Sequence, residues 1–187
     1  MTEFEIPEHL QHRPVLGGLV VPYITAQRPE DGMFVFGAID GQRQRLCLIK
    51  RWCQICGRPI EKPPYVFLLR PYEKFVLPNL ETFELVTVAR TAEPPLHPDC
   101  VPYSARACPM LSGRKTHYRS SPAPIGEYAE HPADTDNRLG HAAESWLSLE
   151  AEAYSVEITS DNVAYAMVHQ RGDGTKPLHQ AEPDKNP

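Results

Sequence analysis

Two cysteines separated by two residues form the most informative motif of this sequence, in the stretch RWCQICGRPI at residues 51–60. Cys53 and Cys56 could act as a redox couple, as a disulfide or as two ligands of a metal ion. A thioredoxin-type couple opens a helix, whereas Gly57 and Pro59 predict a turn here. A disulfide at this spacing is disfavoured in a reducing compartment. Two thiolates at i and i+3 on a tight turn can reach one tetrahedral ion at about 2.3 Å, so the motif favours a zinc knuckle.

A second pair of ligand types follows after 40 intervening residues, in the stretch HPDC. His97 and Cys100 are again at i and i+3, and Pro98 suits the first position of a helix. Two ligands in the first turn of a helix, facing a knuckle, form the arrangement of treble-clef zinc modules. The alternative is a set of small buried cysteines and a surface histidine. We predict one structural zinc ion with the ligands Cys53, Cys56, His97 and Cys100.

The two other cysteines have the pattern of core residues. Cys108 shares one helix face with Val101 and Ala105. It follows Cys100 by eight residues, about 12 Å along a helix, which is too far for both to bind one ion while the helix persists. Cys108 as a replacement for His97 remains the alternative fourth ligand. Cys47 falls in a predicted strand and is expected in the core.

The elements that position these residues are predicted from hydrophobic pattern and turn residues. We predict strands at residues 17–27, 32–40, 44–53, 65–71 and 83–90. One main helix is predicted from the HPDC stretch to Cys108, where Pro109 ends it. Two segments at residues 145–170 flank the turn residues Ser160, Asp161 and Asn162 and predict a hairpin, with a helix at residues 161–170 as the alternative.

The resulting fold class is α+β, a treble-clef-like zinc module with short antiparallel strands, one main helix, irregular loops and a disordered C-terminal tail. Its predicted organisation is an extended lead-in at residues 1–16, a zinc-stabilised core at 17–111, a polar irregular connection at 112–145, a β-hairpin packed on the core at 146–170 and a disordered tail at 171–187.

Composition limits the class of protein. The chain has 187 residues, enough for one domain with a tail. Its 20 prolines argue against a helical bundle. No apolar run has the roughly 18 residues of a membrane span, and the acidic N-terminus does not resemble a signal peptide. We therefore predict a cytoplasmic protein without a membrane partner, in which cysteines are ligands or core residues.

Charge is distributed unevenly along the chain. The net charge is −5, yet residues 41–120 contain 13 Lys and Arg against six acids. Aromatic residues lie among these cations and could provide stacking surfaces for nucleic-acid bases. A solvated charged face is the simpler explanation. The candidate nucleic-acid contacts are Arg43, Arg45, Lys50, Arg51, Arg58, Lys62, Arg114, Lys115 and Arg119.

Three motifs follow one another within residues 13–112, namely RPVLGGLVVPYI, CQICGRPI and EPPLHPDCVPYSARACPML. Together they resemble a family of small uncharacterised proteins from actinobacteria, other bacteria and their phages. The resemblance implies metal-like ligands at Cys53, Cys56, His97 and Cys100, with a recurrent Cys108. It implies no activity.

The predicted ligand set bears on function. Three thiolates and one imidazole close a tetrahedral site and are typical of structural zinc, whereas catalytic zinc keeps a position for water. No His-Glu-x-x-His motif and no glycine-rich phosphate loop is present. We therefore expect an interaction or adaptor protein without enzymatic activity, with a protein partner and an oligomeric state left open. A nucleic-acid binder is the alternative, and an HNH-type nuclease, which also uses a treble clef, is a remote one.

Overall fold

The computed structural model describes residues 4–82, 84–121, 138–171 and 174–178. Within them the chain is a mixed α+β fold whose strand pairs are antiparallel. The helices are α1 (Gly41–Lys50) and α2 (Val101–Ala107). The strands are β1 (Val15–Leu16), β2 (Leu19–Val20), β3 (Thr25–Gln27), β4 (Phe34–Ile39), β5 (Tyr65–Leu69), β6 (Lys74–Pro78), β7 (Leu85–Thr91), β8 (Leu147–Ala151), β9 (Ser155–Ile158), β10 (Ala164–Arg171) and β11 (Thr175–Pro177).

Two larger sheets enclose the core. One has the strand order β6-β7-β10-β9 and the other the order β11-β8-β5, while β1-β2 and β3-β4 form two small ribbons. All five residues of β5 are buried, as expected for its continuous apolar run. In the core, Phe67 of β5 lies opposite Leu149 of β8, and both side chains are fully buried.

The strand predicted at residues 44–53 is wrong, because this segment forms most of α1. The carboxylate of Asp40 accepts a hydrogen bond from the backbone N–H of Arg43 at 3.0 Å and caps the helix. Gln44, Cys47 and Leu48 are buried, at the i, i+3 and i+4 spacing of one helix face. Arg51 then ends the helix with a left-handed φ of 56°.

The helix predicted from the HPDC stretch is confirmed. A single 3₁₀ turn at Pro98–Cys100 leads directly into α2. The helix ends at Ala107, because Cys108 has an extended conformation before Pro109. The prediction of one main helix is nevertheless wrong, because α1, with ten residues, is longer than α2, with seven. No helix of the described segments is long and apolar enough to cross a membrane.

The C-terminal strands are built into both sheets. The predicted hairpin is confirmed as β9 and β10, which pair around a turn at residues 159–163, so the alternative helix at residues 161–170 is wrong. The C-terminal strands also pair with strands from earlier in the chain: β8 pairs with β5, and β10 pairs with β7. The disorder predicted from residue 171 onward is wrong for β11, which pairs with β8; residues 179–187 lie outside the described residues.

The predicted irregular connection is described only at its two ends. Within residues 112–121 and 138–145, an isolated bridge joins His117 to Ala142, and the backbone N–H of Tyr118 donates to the carbonyl of His141 at 2.9 Å. Residues 122–137 lie outside the described part of the chain. In the predicted lead-in, the fully buried Leu10 lies in a 3₁₀ turn and anchors this segment to the core.

Candidate metal centre

The four predicted ligands lie together in the folded chain. The Sγ atoms of Cys53, Cys56 and Cys100 and a ring nitrogen of His97 all lie within 4.8 Å of one another. The cysteines are buried and the histidine is half-buried. Three sulfurs and one imidazole nitrogen at such separations match the ligand set of tetrahedral zinc. The cluster therefore fits a zinc-binding site.

The first two ligands are positioned by a tight turn, here called the cysteine turn (residues 52–59). The backbone N–H of Cys53 donates to the carbonyl of Arg58 at 2.9 Å, and the N–H of Gly57 donates to the carbonyl of Cys53 at 2.9 Å. Gly57 has a left-handed φ of +73°, and a Cβ there would lie 2.6 Å from the ring of Tyr23. Both the conformation and the space therefore require glycine at this position.

The other two ligands are held against the cysteine turn by backbone pairing. Leu96 exchanges two backbone hydrogen bonds with Val66 of β5, at 2.8 and 3.1 Å. Gln54 uses its backbone N–H and its side-chain amide to bind the carbonyls of Pro95 and Pro94, at 3.1 and 2.7 Å. These protein hydrogen bonds by themselves bring His97 beside the cysteine turn.

The orientation of His97 identifies its ligating nitrogen. Its Nε2 lies 3.1 Å from the carbonyl oxygen of Pro59, and a carbonyl can only accept, so Nε2 carries the hydrogen. Its Nδ1 lies 3.4 Å from Sγ of Cys56 and is the nitrogen directed into the cluster. A second-shell carbonyl that fixes the tautomer in this way is usual for metal-binding histidines.

Burial and mutual hydrogen bonds shift the pKa values of the three thiols in the cluster. Burial opposes charge on Cys53, but hydrogen bonds from Cys100, Cys56 and His97 outweigh it and lower the pKa of Cys53. Hydrogen bonding to Cys53 raises the pKa of Cys100. The hydrogen bond with Cys100 lowers the pKa of Cys56, but the bond with Cys53 and burial together outweigh it, so the pKa is raised. A dication bound by the cluster would stabilise the thiolate form of all three cysteines.

The remaining cysteines lie outside this cluster. Cys47 is fully buried on α1, where burial raises the pKa of its thiol. Cys108 is half-buried at the end of α2 and packs against the main core. Among the described residues, His97 rather than Cys108 thus completes the four-residue cluster.

The nine candidate nucleic-acid contacts do not share one role. Arg43 donates to the carbonyls of Tyr23 and Thr25 at 3.3 Å, and Arg114 donates to the carbonyl of Ala107 at 2.8 Å. Arg45, Arg51 and Arg119 also contact other parts of the fold, through the carbonyl of Asn162, the rings of Tyr65 and Tyr154, and the carbonyl of Phe36 respectively. The four that are exposed without such a contact within the described chain are Lys50, Arg58, Lys62 and Lys115.

Sequence reasoning missed the residues that support the ligands. His12 places Nε2 2.9 Å from the carbonyl of Cys56, and Gln54 joins the two halves of the centre. The ring of Tyr23 packs against Gly57. A glutamine between two cysteines is not part of a recognised sequence motif. Its role in joining the two halves of the centre is therefore visible only in the folded chain.

Comparisons with protein-family models, curated proteins and solved structures found no match. The family resemblance of residues 13–112 therefore stays a prediction. Fold and cluster together define the class as an α+β protein with a Cys₃His site that fits zinc.

Proposed function

We propose that the chain is a zinc-stabilised adaptor that binds a protein partner and has no enzymatic activity of its own. The observation that carries this proposal is the Cys₃His cluster. Its four protein groups would occupy all four coordination positions of a tetrahedral ion. A closed site leaves no position for an activated water or for a substrate. The metal then contributes folding energy rather than chemistry.

The placement of the ligands supports a treble-clef-like module. Cys53 and Cys56 lie on a tight turn, while His97 precedes and Cys100 ends the 3₁₀ turn that opens α2. Zinc suits this site better than magnesium or calcium, because thiolate and imidazole are soft and borderline ligands.

An exposed apolar strand supports the binding of a protein. At one edge of the four-stranded sheet, β6 pairs on one side with β7 within the described chain. Phe75, Val76 and Leu77 of β6 are 54%, 42% and 51% exposed, and Leu80 beyond it is 83% exposed. Charged side chains and prolines protect natural edge strands from pairing. In β6 they stand only at the two ends, as Lys74 and Pro78, and the stretch from Phe75 to Leu80 has no charge.

The partner that fits this edge is a protein with an extended segment. Backbone groups on the open side of β6 can pair with an added strand, and apolar side chains at alternate positions of that strand would cover Phe75 and Leu77. An uncharged surface favours an apolar peptide over a nucleic acid.

A site-specific photo-crosslinking experiment tests this partner. A photoreactive amino acid in place of Leu77 should capture one protein in the native host. The same residue in place of Ile158, which is 51% exposed on the opposite edge strand β9, is the matched control. With the captured protein purified, Leu77→Lys should weaken binding by about tenfold or more, the effect of losing a central apolar contact, and Ile158→Lys should not.

Two outcomes would contradict the proposal. Capture of the same proteins from positions 77 and 158 would show that crosslinking is non-specific. Capture of a second copy of this chain alone would make β6 a self-association surface, which light scattering at several concentrations would confirm.

Nucleic-acid binding is the second candidate. The observation that favours it is the exposure of Lys50, Arg58 and Lys62 close to or within the cysteine turn, where Trp52 is also half-buried. Cations beside a partly exposed aromatic ring are the usual elements of a single-strand binding surface.

A further inference from the structure

A sizeable cavity lies beside the metal centre. Its volume is about 430 Å³, within the range of roughly 300–1,000 Å³ that small-molecule sites usually have. Its walls come from the cysteine turn, from α2 and the segments after it, and from strands β2, β4 and β5. Most of its lining is apolar and includes Val20, Ile55, Leu68, Ala107, Leu111 and Trp146.

Among the described residues that line this cavity, cationic side chains outnumber acidic ones. They are Lys115, Arg119 and Arg138, against Glu93. Arg119 is held in place by a hydrogen bond of 3.1 Å from its guanidinium group to the carbonyl of Phe36. Lys115 is exposed, and its ammonium group makes no ion pair within the described residues. The described part of the lining therefore combines an apolar interior with more cationic than acidic side chains.

We propose that this cavity binds a small amphipathic anion, namely a carboxylate carried on an apolar body. The apolar body would be buried against Ile55, Leu68 and Trp146, which is the main source of affinity in such sites. The carboxylate would lie near Lys115 and Arg119, where it gains charge-assisted hydrogen bonds. A cation of the same shape would be repelled at that position.

This site goes beyond the adaptor function and is coupled to the metal centre. Gln54 and Ile55, which lie between Cys53 and Cys56, line the cavity, and so do Ser104 and Ala107 of α2. An ion held by Cys53, Cys56, His97 and Cys100 would join the cysteine turn to the start of α2, and it would fix the separation of two cavity walls. Removal of the metal should therefore abolish ligand binding, although loss of the ligand should leave the metal in place.

Nuclear magnetic resonance with decanoate as the probe tests the proposal directly. The chain has two tryptophans, and of the two only Trp146 lines the cavity. Decanoate should shift the indole N–H signal of Trp146 saturably and leave that of Trp52 in place. Decanol and decyltrimethylammonium have the same chain without the negative charge, and they should bind about tenfold or more weakly if a charge-assisted bond is lost.

A pair of variants at one position distinguishes the cavity from the rest of the surface. Cys108 is half-buried and lines the cavity. Cys108→Phe should fill the space and abolish the shift, whereas Cys108→Ala should bind decanoate as the unmodified protein does. Lys115→Glu should weaken binding by about threefold to tenfold through charge reversal near the surface, and Lys62→Glu is its matched control at another exposed lysine.

Zinc content is measured on every variant. It distinguishes loss of the cavity site from loss of the metal centre, on which the proposed adaptor function rests. Equal binding of decanoate, decanol and decyltrimethylammonium would overturn the anion site. Binding that survives Cys108→Phe, or absence of any shift at Trp146 in zinc-loaded protein, would overturn the cavity as its location. None of these three results would bear on the ligands of the metal or on the binding of a protein at β6.

Discussion

At the scale of single residues, His97 shows how the site is prepared for a metal. Its two ring nitrogens face opposite partners, the carbonyl of Pro59 on one side and Sγ of Cys56 on the other. The backbone N–H of His97 also approaches Sγ of Cys53 at 3.5 Å, and such contacts stabilise a metal-bound thiolate. A ring that is fixed in both tautomer and direction loses less entropy when the metal binds.

The ligand assignment predicts how metal content responds to substitution. Protein prepared in metal-free buffer and then loaded with zinc should bind about one ion per chain, as one closed site requires. Cys56→Ser, Cys100→Ser and His97→Ala should each lower zinc occupancy and thermal stability, because binding energy is folding energy in such sites. Cys108→Ala should keep its zinc and lose only about 1–3 kcal/mol, as an ordinary core change.

Elemental analysis and thermal unfolding on the same samples provide the measurement. Retention of zinc by His97→Ala together with its loss in Cys108→Ala would reverse the assignment of the fourth ligand. A preparation that binds no transition metal at all would contradict the centre itself.

At the scale of elements, α1 determines how the chain enters the cysteine turn. Its last residue is followed by Arg51 in the left-handed region, and the N–H of Trp52 donates back to the carbonyl of Cys47 at 3.0 Å. This C-terminal cap directs the chain from the helix into the residues before Cys53. The N-terminal end depends on Asp40, which caps the helix and also lies 3.3 Å from the guanidinium group of Arg43.

Removal of the N-terminal cap should destabilise the whole protein. Asp40→Ala should lower the free energy of unfolding by about 0.5–2 kcal/mol, the usual cost of such a cap. Asp40→Asn is the matched control, because asparagine caps helices about as well as aspartate does. Urea denaturation of zinc-loaded protein measures both. Equal losses in the two variants would assign the stabilisation to the ion pair with Arg43 instead.

The elements near the ligands were predictable from sequence to different degrees. The i, i+3 spacing of both ligand pairs and the proline of the HPDC stretch are local patterns, so the cluster and α2 were predicted. Residues 44–53 were mistaken for a strand because Leu46, Leu48 and Lys50 alternate with Cys47 and Ile49. Asp40, the cap that identifies the helix, lies just before that window.

Long-range pairing was beyond the reach of local patterns. The short β11 has little to bury, and its order depends on pairing with β8, some 26 residues earlier in sequence, as in Thr175 opposite Leu149. The cavity combines residues from Leu19 to Trp146, and no spacing in the sequence indicates such a combination.

At the scale of the whole molecule, charge weighs against a nucleic-acid partner. The net charge is −5 and the isoelectric point is about 5.9. Five of the nine candidate cations make hydrogen bonds or ring contacts within the fold. Of the remaining four, Lys50, Arg58 and Lys62 lie in or near the cysteine turn in sequence. The fourth, Lys115, lines the cavity. A phosphate backbone would therefore meet three cations around the turn that make no such contact within the described residues.

Three phosphate contacts predict weak binding that depends steeply on salt. Each contact contributes a slope of about −0.7 on a log–log plot for single strands, so affinity should fall about 20-fold between 50 and 200 mM salt. Against the acidic remainder of the chain, we expect no binding above background at physiological salt. Fluorescence anisotropy with labelled single- and double-stranded oligonucleotides measures it. The test compares a triple variant, with Lys50→Ala, Arg58→Ala and Lys62→Ala, with the control Lys176→Ala, an exposed lysine on β11 outside the turn. Micromolar binding that the triple variant loses and the control keeps would favour the nucleic-acid binder over the adaptor.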